Sequence, residues 1–346
     1  MRIAIVNDMR MAVEALRRTV ESVPGYEVAW TAANGVEAVK RCASDVPDLI
    51  LMDLIMPELG GVETTRQIMA NSPCAILVVT ASVTQNVSLV FQAMGAGALD
   101  AVSTPTVGIN EQAKGRDEFL LKIRTIGRLI NATRRSAPFK SKKAGITVKS
   151  NDWLIAIGAS TGGPAAVAKI LAGLPKDLQA SVVIIQHVDR KFAPGLAEWL
   201  CNQSTLPVSL AKEGDIIEKG KIYIAGTNDH LVIKQDQTLG YQDEPAALPY
   251  RPSVDVFFES VLTNWHGRSV AALLTGMGRD GAEGLLGLKN NGVHTIAQNA
   301  ETCAVYGMPK AAVELGAAVE ILPVDRVADA ILGSMAGKRA TRSSPA

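Results

Sequence analysis

The chain of 346 residues is poor in cysteine and in aromatic residues, and it has no long hydrophobic run. Its four cysteines are scattered without a C-x-x-C pair, which argues against a zinc site or a disulfide framework. Apolar runs such as Val182–Ile185 are far too short to cross a bilayer, so no membrane insertion is expected. A formal net charge of +1 gives no general attraction to nucleic acid or membranes. The first residues of the sequence are typical of a strand and not of a secretory signal. Together with the low cysteine content and the short apolar runs, they predict a cytoplasmic protein.

What the chain does contain is an alternation of short apolar runs with helical patterns, interrupted once. Such alternation indicates parallel sheets covered by helices on both faces. We therefore predict an α/β protein with two doubly wound parallel-sheet domains, one flavodoxin-like at residues 1–125 and one Rossmann-like at residues 152–335. The predicted strands are Ile3–Val6, Tyr26–Trp30, Leu49–Met52, Ala75–Thr80 and Ala98–Val102, then Trp153–Ile157, Val182–Gln186, Lys221–Ile224, Val270–Leu274, His294–Ala297 and Val319–Leu322.

The interruption is a basic linker, predicted at residues 126–151. Residues 132–150 lose apolar periodicity and concentrate Arg and Lys, which is typical of a solvated segment. A nucleic-acid site is the less favoured interpretation because no aromatic platform accompanies the charge. The polar residues 336–346 are predicted to form a disordered tail.

Three polar residues lie at the ends of strands in the first domain. Asp8 follows the first strand, Asp53 follows the third, and Thr80 ends the fourth. Because the carboxyl ends of parallel strands share one edge, these side chains are expected to lie together. Two carboxylates and a hydroxyl suit Mg²⁺, and Asp53 could accept a phosphoryl group beside it. The alternative is a set of strand-end carboxylates that simply face water.

A glycine-rich turn opens the second domain. Residues 158–162 satisfy G-x-S-x-G, directly after an apolar strand and before a helical segment. Such a turn exposes Ser160 at the carboxyl edge of a sheet, where helix N–H groups can face a developing anion. The alternative is a turn that only packs or that cradles a phosphate.

A serine nucleophile needs a base, and the chain has only four histidines. His187 follows a strand parallel to the one that precedes Ser160, so it is favoured. His230, at a predicted turn, is second, while His266 lies in a helix-end loop and His294 begins a strand at the wrong edge. Asp280 lies in another strand-to-glycine-turn unit and could orient the histidine, or it could only cap a helix.

Residues 1–125 resemble the response-regulator receiver domain. The resemblance implies that Asp53 is the phosphoryl acceptor, that Asp8, Asp53 and Ile55 form the Mg²⁺ site, and that Thr80 is the switch hydroxyl. Two departures stand out. Receivers usually carry two acidic residues after the first strand, where this chain has Asn7-Asp8, and a lysine where it has Thr104.

Residues 152–335 resemble the catalytic domain of the CheB family, the chemotaxis protein-glutamate methylesterases. The resemblance implies Ser160 as the nucleophile, His187 as the general base and acid, Asp280 as the orienting carboxylate and the Met277 N–H as an oxyanion donor. Within the family the chain looks like the Wsp-type branch. The matching stretches are Ile157–Pro164, Ile185–His187, Arg251–Asp255, Leu274–Ala282 and Val305–Pro309.

The family resemblance implies a reaction, its partners and its control. The reaction is hydrolysis of glutamyl methyl esters on the cytoplasmic helices of chemoreceptors, with glutamine deamidation, and it needs no cofactor. A CheA-type histidine kinase is the implied phosphoryl donor, and the unphosphorylated receiver is expected to block the esterase crevice. The rival interpretations are a dinucleotide-binding enzyme, for which a glycine is missing at Ser160, and a regulator that has lost its catalysis.

Overall fold

The computed structural model describes residues 1–80, 86–105, 112–131, 152–245, 248 and 250–337. The chain divides into two compact units, Met1–Ala137 and Pro138–Ala346. Most of the predicted linker, and the predicted tail from residue 338 onward, lie outside the described residues. In the part of the chain that is described, no helix combines the length and the apolarity that a membrane span requires.

The first unit is a five-stranded parallel sheet in the order β2-β1-β3-β4-β5, with helices between successive strands. The residues of the central strand, Leu49–Met52, are all buried because both faces of the sheet are covered. The elements are β1 (Arg2–Val6), α1 (Arg10–Glu21), β2 (Glu27–Ala32), α2 (Gly35–Ser44), β3 (Leu49–Met52), α3 (Gly61–Asn71), β4 (Ala75–Thr80), α4 (Val87–Gly95), β5 (Asp100–Ser103) and α5 (Gln112–Asn131).

The last helix of this unit extends past residue 125, where the sequence predicts the domain to end. Phe119, Ile123 and Ile126 recur at helical spacing and are buried against the sheet. This buried face stabilises the helix beyond residue 125, and the helix ends at Asn131. The first part of the predicted linker is therefore helical.

The second unit is a seven-stranded parallel sheet in the order β14-β13-β12-β6-β7-β9-β8, with a separate hairpin, β10-β11. Its elements are β6 (Trp153–Ala159), α6 (Gly163–Ala172), β7 (Ala180–Gln186), α7 (Ala193–Cys201), β8 (Val208–Leu210), β9 (Ile222–Ile224), β10 (His230–Ile233), β11 (Leu239–Gln242), α8 (Val254–Asn264), β12 (Arg268–Leu273), α9 (Ala282–Asn290), β13 (His294–Gln298), α10 (Met308–Glu314), β14 (Glu320–Leu322) and α11 (Val324–Met335).

The strand order fixes where a site can form. β6 lies in the middle, and the chain runs from it to β7 on one side, whereas β12 lies on the other side. Ligands of open parallel sheets bind at the carboxyl ends of strands where the order reverses. The turns after β6, β7 and β12 meet at such a point, and these turns carry the predicted catalytic residues.

The predicted strands are all present, with ends that differ by up to two residues. Three short strands, β8, β10 and β11, were not predicted. β10 includes His230, which the sequence pattern places at a turn; that prediction is wrong because the residues pair with β11 through His230 and Gln242.

Candidate active site

Ser160 lies in the tight turn between β6 and α6. Its N–H donates to Thr275 O at 3.0 Å, and its carbonyl accepts from the Gly163 N–H at 2.7 Å. Gly162 adopts φ +75°, a conformation that favours glycine, and a Cβ there would collide with the side chain of Ala304. The turn therefore holds Ser160 between the ends of β6 and β12, where the side chain is nearly buried.

The turn after β12 lies against Ser160. A Cβ added at Gly276 would lie 2.7 Å from Ser160 Cβ, so only glycine allows this approach. The carbonyl of Gly276 accepts from the N–H groups of Gly307, at 3.1 Å, and Met308, at 2.8 Å, which fixes the peptide that leads to Met277. The Met277 N–H thus belongs to a rigid turn beside the serine.

His187 lies directly after β7, next to the serine turn. β6 and β7 are paired in register up to Ala159 and Gln186, and the His187 N–H donates to Ala159 O at 3.0 Å. Its ring Nε2 lies 2.7 Å from Asp280 Oδ2. Its Nδ1 is buried and has no hydrogen-bond partner among the described residues. One ring nitrogen is therefore engaged by a carboxylate, and the other is available.

Asp280 caps a helix, but not the one that follows it. α9 begins after Gly281, whereas the Asp280 carboxylate accepts from the start of α8: from Ser253 Oγ at 2.7 Å, Val254 N at 2.7 Å and Asp255 N at 3.2 Å. Burial raises the pKa of Asp280, but the hydrogen bonds from His187, Ser253 and Val254 outweigh burial and leave the pKa below its ordinary value. The positive end of α8 supports the same charge.

A second carboxylate, Asp255, lies beside Asp280 and behaves in the opposite way. Burial, followed by the charge of Asp280, raises the pKa of Asp255 to about 7. Its Oδ1 accepts from the Gly284 N–H at 2.7 Å, so it joins α8 to α9. At neutral pH, Asp280 is therefore fully ionised, whereas Asp255 is only partly ionised.

The remaining histidines make other contacts. His230 is fully buried, its Nδ1 accepts from Ser253 N at 3.0 Å, and its Nε2 lies 3.3 Å from Pro245 O. His230 therefore stabilises the segment that carries Ser253 and does not serve a substrate. His266 lies beyond the end of α8, and His294, at the opposite edge of the sheet, pairs with Glu320 at 2.8 Å.

In the first unit, Asp53 follows β3 and the Asn7-Asp8 pair follows the adjacent β1. Asn7 Nδ2 donates to Asp53 Oδ2 at 3.0 Å, and Asn7 Oδ1 accepts from Met9 N at 2.8 Å, which fixes the orientation of the amide. Burial raises the pKa of Asp53, the N–H groups of Leu54 and Ile55 lower it, and the charge of Asp8 raises it further. Asp8 itself is exposed.

Thr80 ends β4 at the same edge and is buried. Asn86 Nδ2 donates to its hydroxyl at 3.3 Å, and the Thr104 N–H donates to its carbonyl at 2.9 Å. Thr104 follows β5, so it lies beside Thr80 in the sheet order. Residues 81–85, which follow Thr80, lie outside the described residues.

Two family models match this chain. The CheB methylesterase model matches residues 155–331, and the response regulator receiver domain model matches residues 3–109. The chain belongs to the CheB methylesterase family.

Relatives and a solved structure agree with this assignment. The chain is similar to protein-glutamate methylesterase/protein-glutamine glutaminase 1 of Pseudomonas fluorescens strain Pf-5, at 54% identity over 96% of this chain and 98% of that protein. It is 52% identical to protein-glutamate methylesterase/protein-glutamine glutaminase 3 of Pseudomonas aeruginosa strain PAO1, over 95% of this chain and 98% of that protein. The crystal structure of the Thermotoga maritima CheB methylesterase catalytic domain matches at 34% identity and a TM-score of 0.50, covering 52% of this chain and 97% of that one.

These findings confirm the predicted fold class and the CheB family with its N-terminal receiver domain. The Wsp-type branch stays a prediction.

The receiver site offers few ligands for Mg²⁺. The described residues contain no cluster of three or more His, Cys, Asp or Glu side chains that could hold a metal ion. Asp8 and Asp53 nevertheless provide hard oxygen atoms at one edge, and Ile55, whose side chain has no donor, could add only its main-chain carbonyl. Such a sparse oxygen set suits Mg²⁺, which keeps several of its waters.

Sequence reasoning missed two side chains of the esterase site. Gln186 Nε2 donates to Ser160 O at 2.8 Å and so ties β7 to the serine turn. Tyr250 stacks on His187, with ring centroids 4.7 Å apart and an angle of 6° between planes. Gln186 could have been found as the polar end of an apolar strand. A single aromatic residue in a loop gives no such signal.

Proposed function

We propose that this CheB-family chain is a phosphorylation-regulated protein-glutamate methylesterase and protein-glutamine glutaminase that acts in chemosensory adaptation. Its substrates are glutamyl methyl esters and glutamine side chains on the cytoplasmic helices of chemoreceptors. The observation that carries the proposal is the 2.7 Å pair of His187 Nε2 and Asp280 Oδ2, located beside the Ser160 turn, while the other ring nitrogen has no hydrogen-bond partner among the described residues.

The first step is attack of Ser160 Oγ on the ester carbonyl. The hydroxyl proton passes to His187 Nδ1, because Nε2 keeps its proton in the bond to Asp280. Asp280 stays ionised, since its pKa is lowered by the donors around it, and it stabilises the imidazolium that forms. The tetrahedral oxyanion accepts from the Met277 N–H, a type of donor worth about 3 kcal/mol in the transition state.

The second half releases the product. The imidazolium returns its proton to the leaving methoxide, and methanol departs from the acyl-enzyme. His187 then takes a proton from water, the hydroxide attacks the acyl carbon, and the Ser160 oxygen leaves with that proton, giving glutamate. With a glutamine side chain the same steps release ammonia. This acyl chemistry needs no cofactor.

Regulation is assigned to the receiver. Asp53 accepts the phosphoryl group from a CheA-type histidine kinase, and Thr80 is the hydroxyl that follows the phosphate. Asp8, Asp53 and the Ile55 carbonyl would hold Mg²⁺, which when bound offsets the negative charges of carboxylate and phosphate. Asn7 contributes an amide in place of a second acid, so we expect weaker metal binding than two acids would give. Thr104 contributes no charge, so we expect it to hold the phosphoryl group less firmly than a lysine would.

The test is release of methanol from membranes that carry chemoreceptors with labelled methyl esters. Wild-type protein should release methanol, and Ser160→Ala should release none above the enzyme-free rate. Ser204→Ala, a serine of a surface loop whose hydroxyl accepts from Leu206 N at 3.0 Å, is the matched control and should retain the wild-type rate. Equal release by wild type and Ser160→Ala would reject the proposal.

A further inference from the structure

Tyr250 is the aromatic neighbour of the proposed general base. Its ring lies almost parallel to that of His187, at the centroid distance typical of offset stacking. It lies just before Arg251–Asp255, the segment that leads to α8 and to the donors of Asp280. The chemistry of the triad does not itself require an aromatic ring against His187.

The hydroxyl end of Tyr250 reaches the oxyanion turn. Gly278 has φ +81°, and a Cβ at that position would lie 2.5 Å from Tyr250 Oη. Gly278 directly follows Met277. The same side chain thus contacts the base with its ring face and the turn of the oxyanion donor with its tip.

The phenol is suited to remain uncharged in this place. Burial, and then the charge of Asp280, raises the pKa of Tyr250 above its ordinary value. A neutral ring presents a negative face to a neighbouring cation, and such contacts are stronger when they are shielded from water. The His187 side chain is only 10% exposed, so water contributes little to stabilising its charge.

We propose that Tyr250 is a positioning residue that orients the His187 ring by stacking and stabilises its imidazolium form. This inference rests on the proposed function, because it concerns the proton acceptor of that reaction. The stacked ring favours the charged state of the base, which exists in the transition state and not in the resting enzyme. The contribution therefore affects kcat rather than substrate binding.

Several charged groups lie on the loop of His187 and on the segments that lead to β10, α8 and α9, and a change at Tyr250 alters none of them. They are Asp189, Arg190 and Lys191 on its own loop, Asp229 before β10, Arg251 and Asp255 next to α8, and Arg279 and Asp280 before α9. A shift on changing Tyr250 is thus attributable to the ring, provided that the site stays dry. Tyr250→Leu meets this condition because leucine keeps the site apolar but has no ring face.

The test uses the rate at which a fluorophosphonate labels the full-length protein, measured from pH 5 to pH 9. We expect Tyr250→Leu to react about 3- to 30-fold more slowly at the plateau, the range expected for loss of a shielded cation–π contact. The pH of half-maximal labelling should move down by about 0.5 to 1.5, since the imidazolium loses stabilisation. Tyr250→Phe should restore both values to near wild type, because it keeps the ring.

Tyr26→Leu, the same substitution at a partly buried tyrosine of the receiver, controls for general effects and should label like wild type. Circular dichroism checks that Tyr250→Leu is folded, and Tyr250→Met replaces it if it is not. A wild-type pH profile in the leucine and methionine variants, or a loss in Tyr250→Phe equal to theirs, would overturn the inference. Failure of wild type to label even in the presence of a phosphoryl donor would instead reject the proposed function.

Discussion

The two candidate sites occupy the same place in two parallel sheets, yet they are built differently. In the esterase unit, Asp280 is 8% exposed and accepts from two main-chain N–H groups and one hydroxyl. In the receiver unit, Asp8 is exposed, and Asp53 meets an amide where receivers usually carry another acid. The donors to the Asp280 carboxylate all come from the protein itself, which suits a site that must only stabilise a transition state. In the receiver site, the exposed Asp8 leaves room for the Mg²⁺ ion and the phosphoryl group that we propose there.

The largest expected effect comes from Asp280→Asn. The amide cannot stabilise the imidazolium, and it favours the wrong tautomer of His187, so we expect methanol release to fall by about 10³- to 10⁴-fold. The neighbouring Asp255→Asn keeps every donor to Asp280 and should lose less than about tenfold. Similar losses in the two variants would contradict the unequal roles that their surroundings indicate.

A smaller effect is expected from Ser253→Ala, which removes one donor from the Asp280 carboxylate and the N-cap of α8. A hydrogen bond to a charged group contributes about 1.5–3 kcal/mol, so activity should fall by about 10- to 100-fold and stability should fall as well. Asn34→Ala removes the N-cap of α2 in the receiver and costs about 1 kcal/mol of stability. Measured by urea unfolding and methanol release, the receiver variant should lose stability without losing catalytic chemistry.

Asn7→Asp should strengthen the receiver site, whereas the preceding variants remove interactions. A second acid beside Asp53 adds a hard ligand, so we expect several-fold tighter Mg²⁺ binding, measured by metal titration of the full-length protein. Because the added charge also repels Asp53, the gain should vanish when the metal is chelated. Unchanged metal affinity would show that the Asn7 position does not limit the site.

The last expected effect concerns stability and not catalysis, and it is a dependence on pH that Asp255 causes. Its pKa is about 7 in the folded protein, against 3.8 ordinarily, so the folded state holds this proton more tightly than the unfolded chain between about pH 4 and pH 7. The free energy of unfolding should therefore fall as the pH rises through that window and level off above it. Asp255→Asn should flatten this slope in urea unfolding at pH 5, 6 and 7.5. Asp280, with its lowered pKa, acts in the opposite sense and only at lower pH.

Much of this picture follows from the sequence because strand ends of parallel sheets share an edge. That rule brought Ser160, His187 and Asp280 to one place, and the structure adds the contact between the last two. The surroundings of Asp280 could not be predicted, since its donors lie 25 to 27 residues away and depend on how α8 packs. His230 and β10 were misread because the polar residues before them are typical of a turn, while their burial depends on pairing with β11. Tyr250 was missed because stacking has no sequence period.

The central claim is that Ser160 is a nucleophile activated by His187 and Asp280. The most direct measurement is fluorophosphonate labelling followed by peptide mass spectrometry, on wild type, Ser160→Ala and His187→Ala. The account predicts one adduct, on Ser160, which is lost in Ser160→Ala and slowed by at least about 10³-fold in His187→Ala. An adduct on another residue, or an unchanged rate without His187, would contradict it.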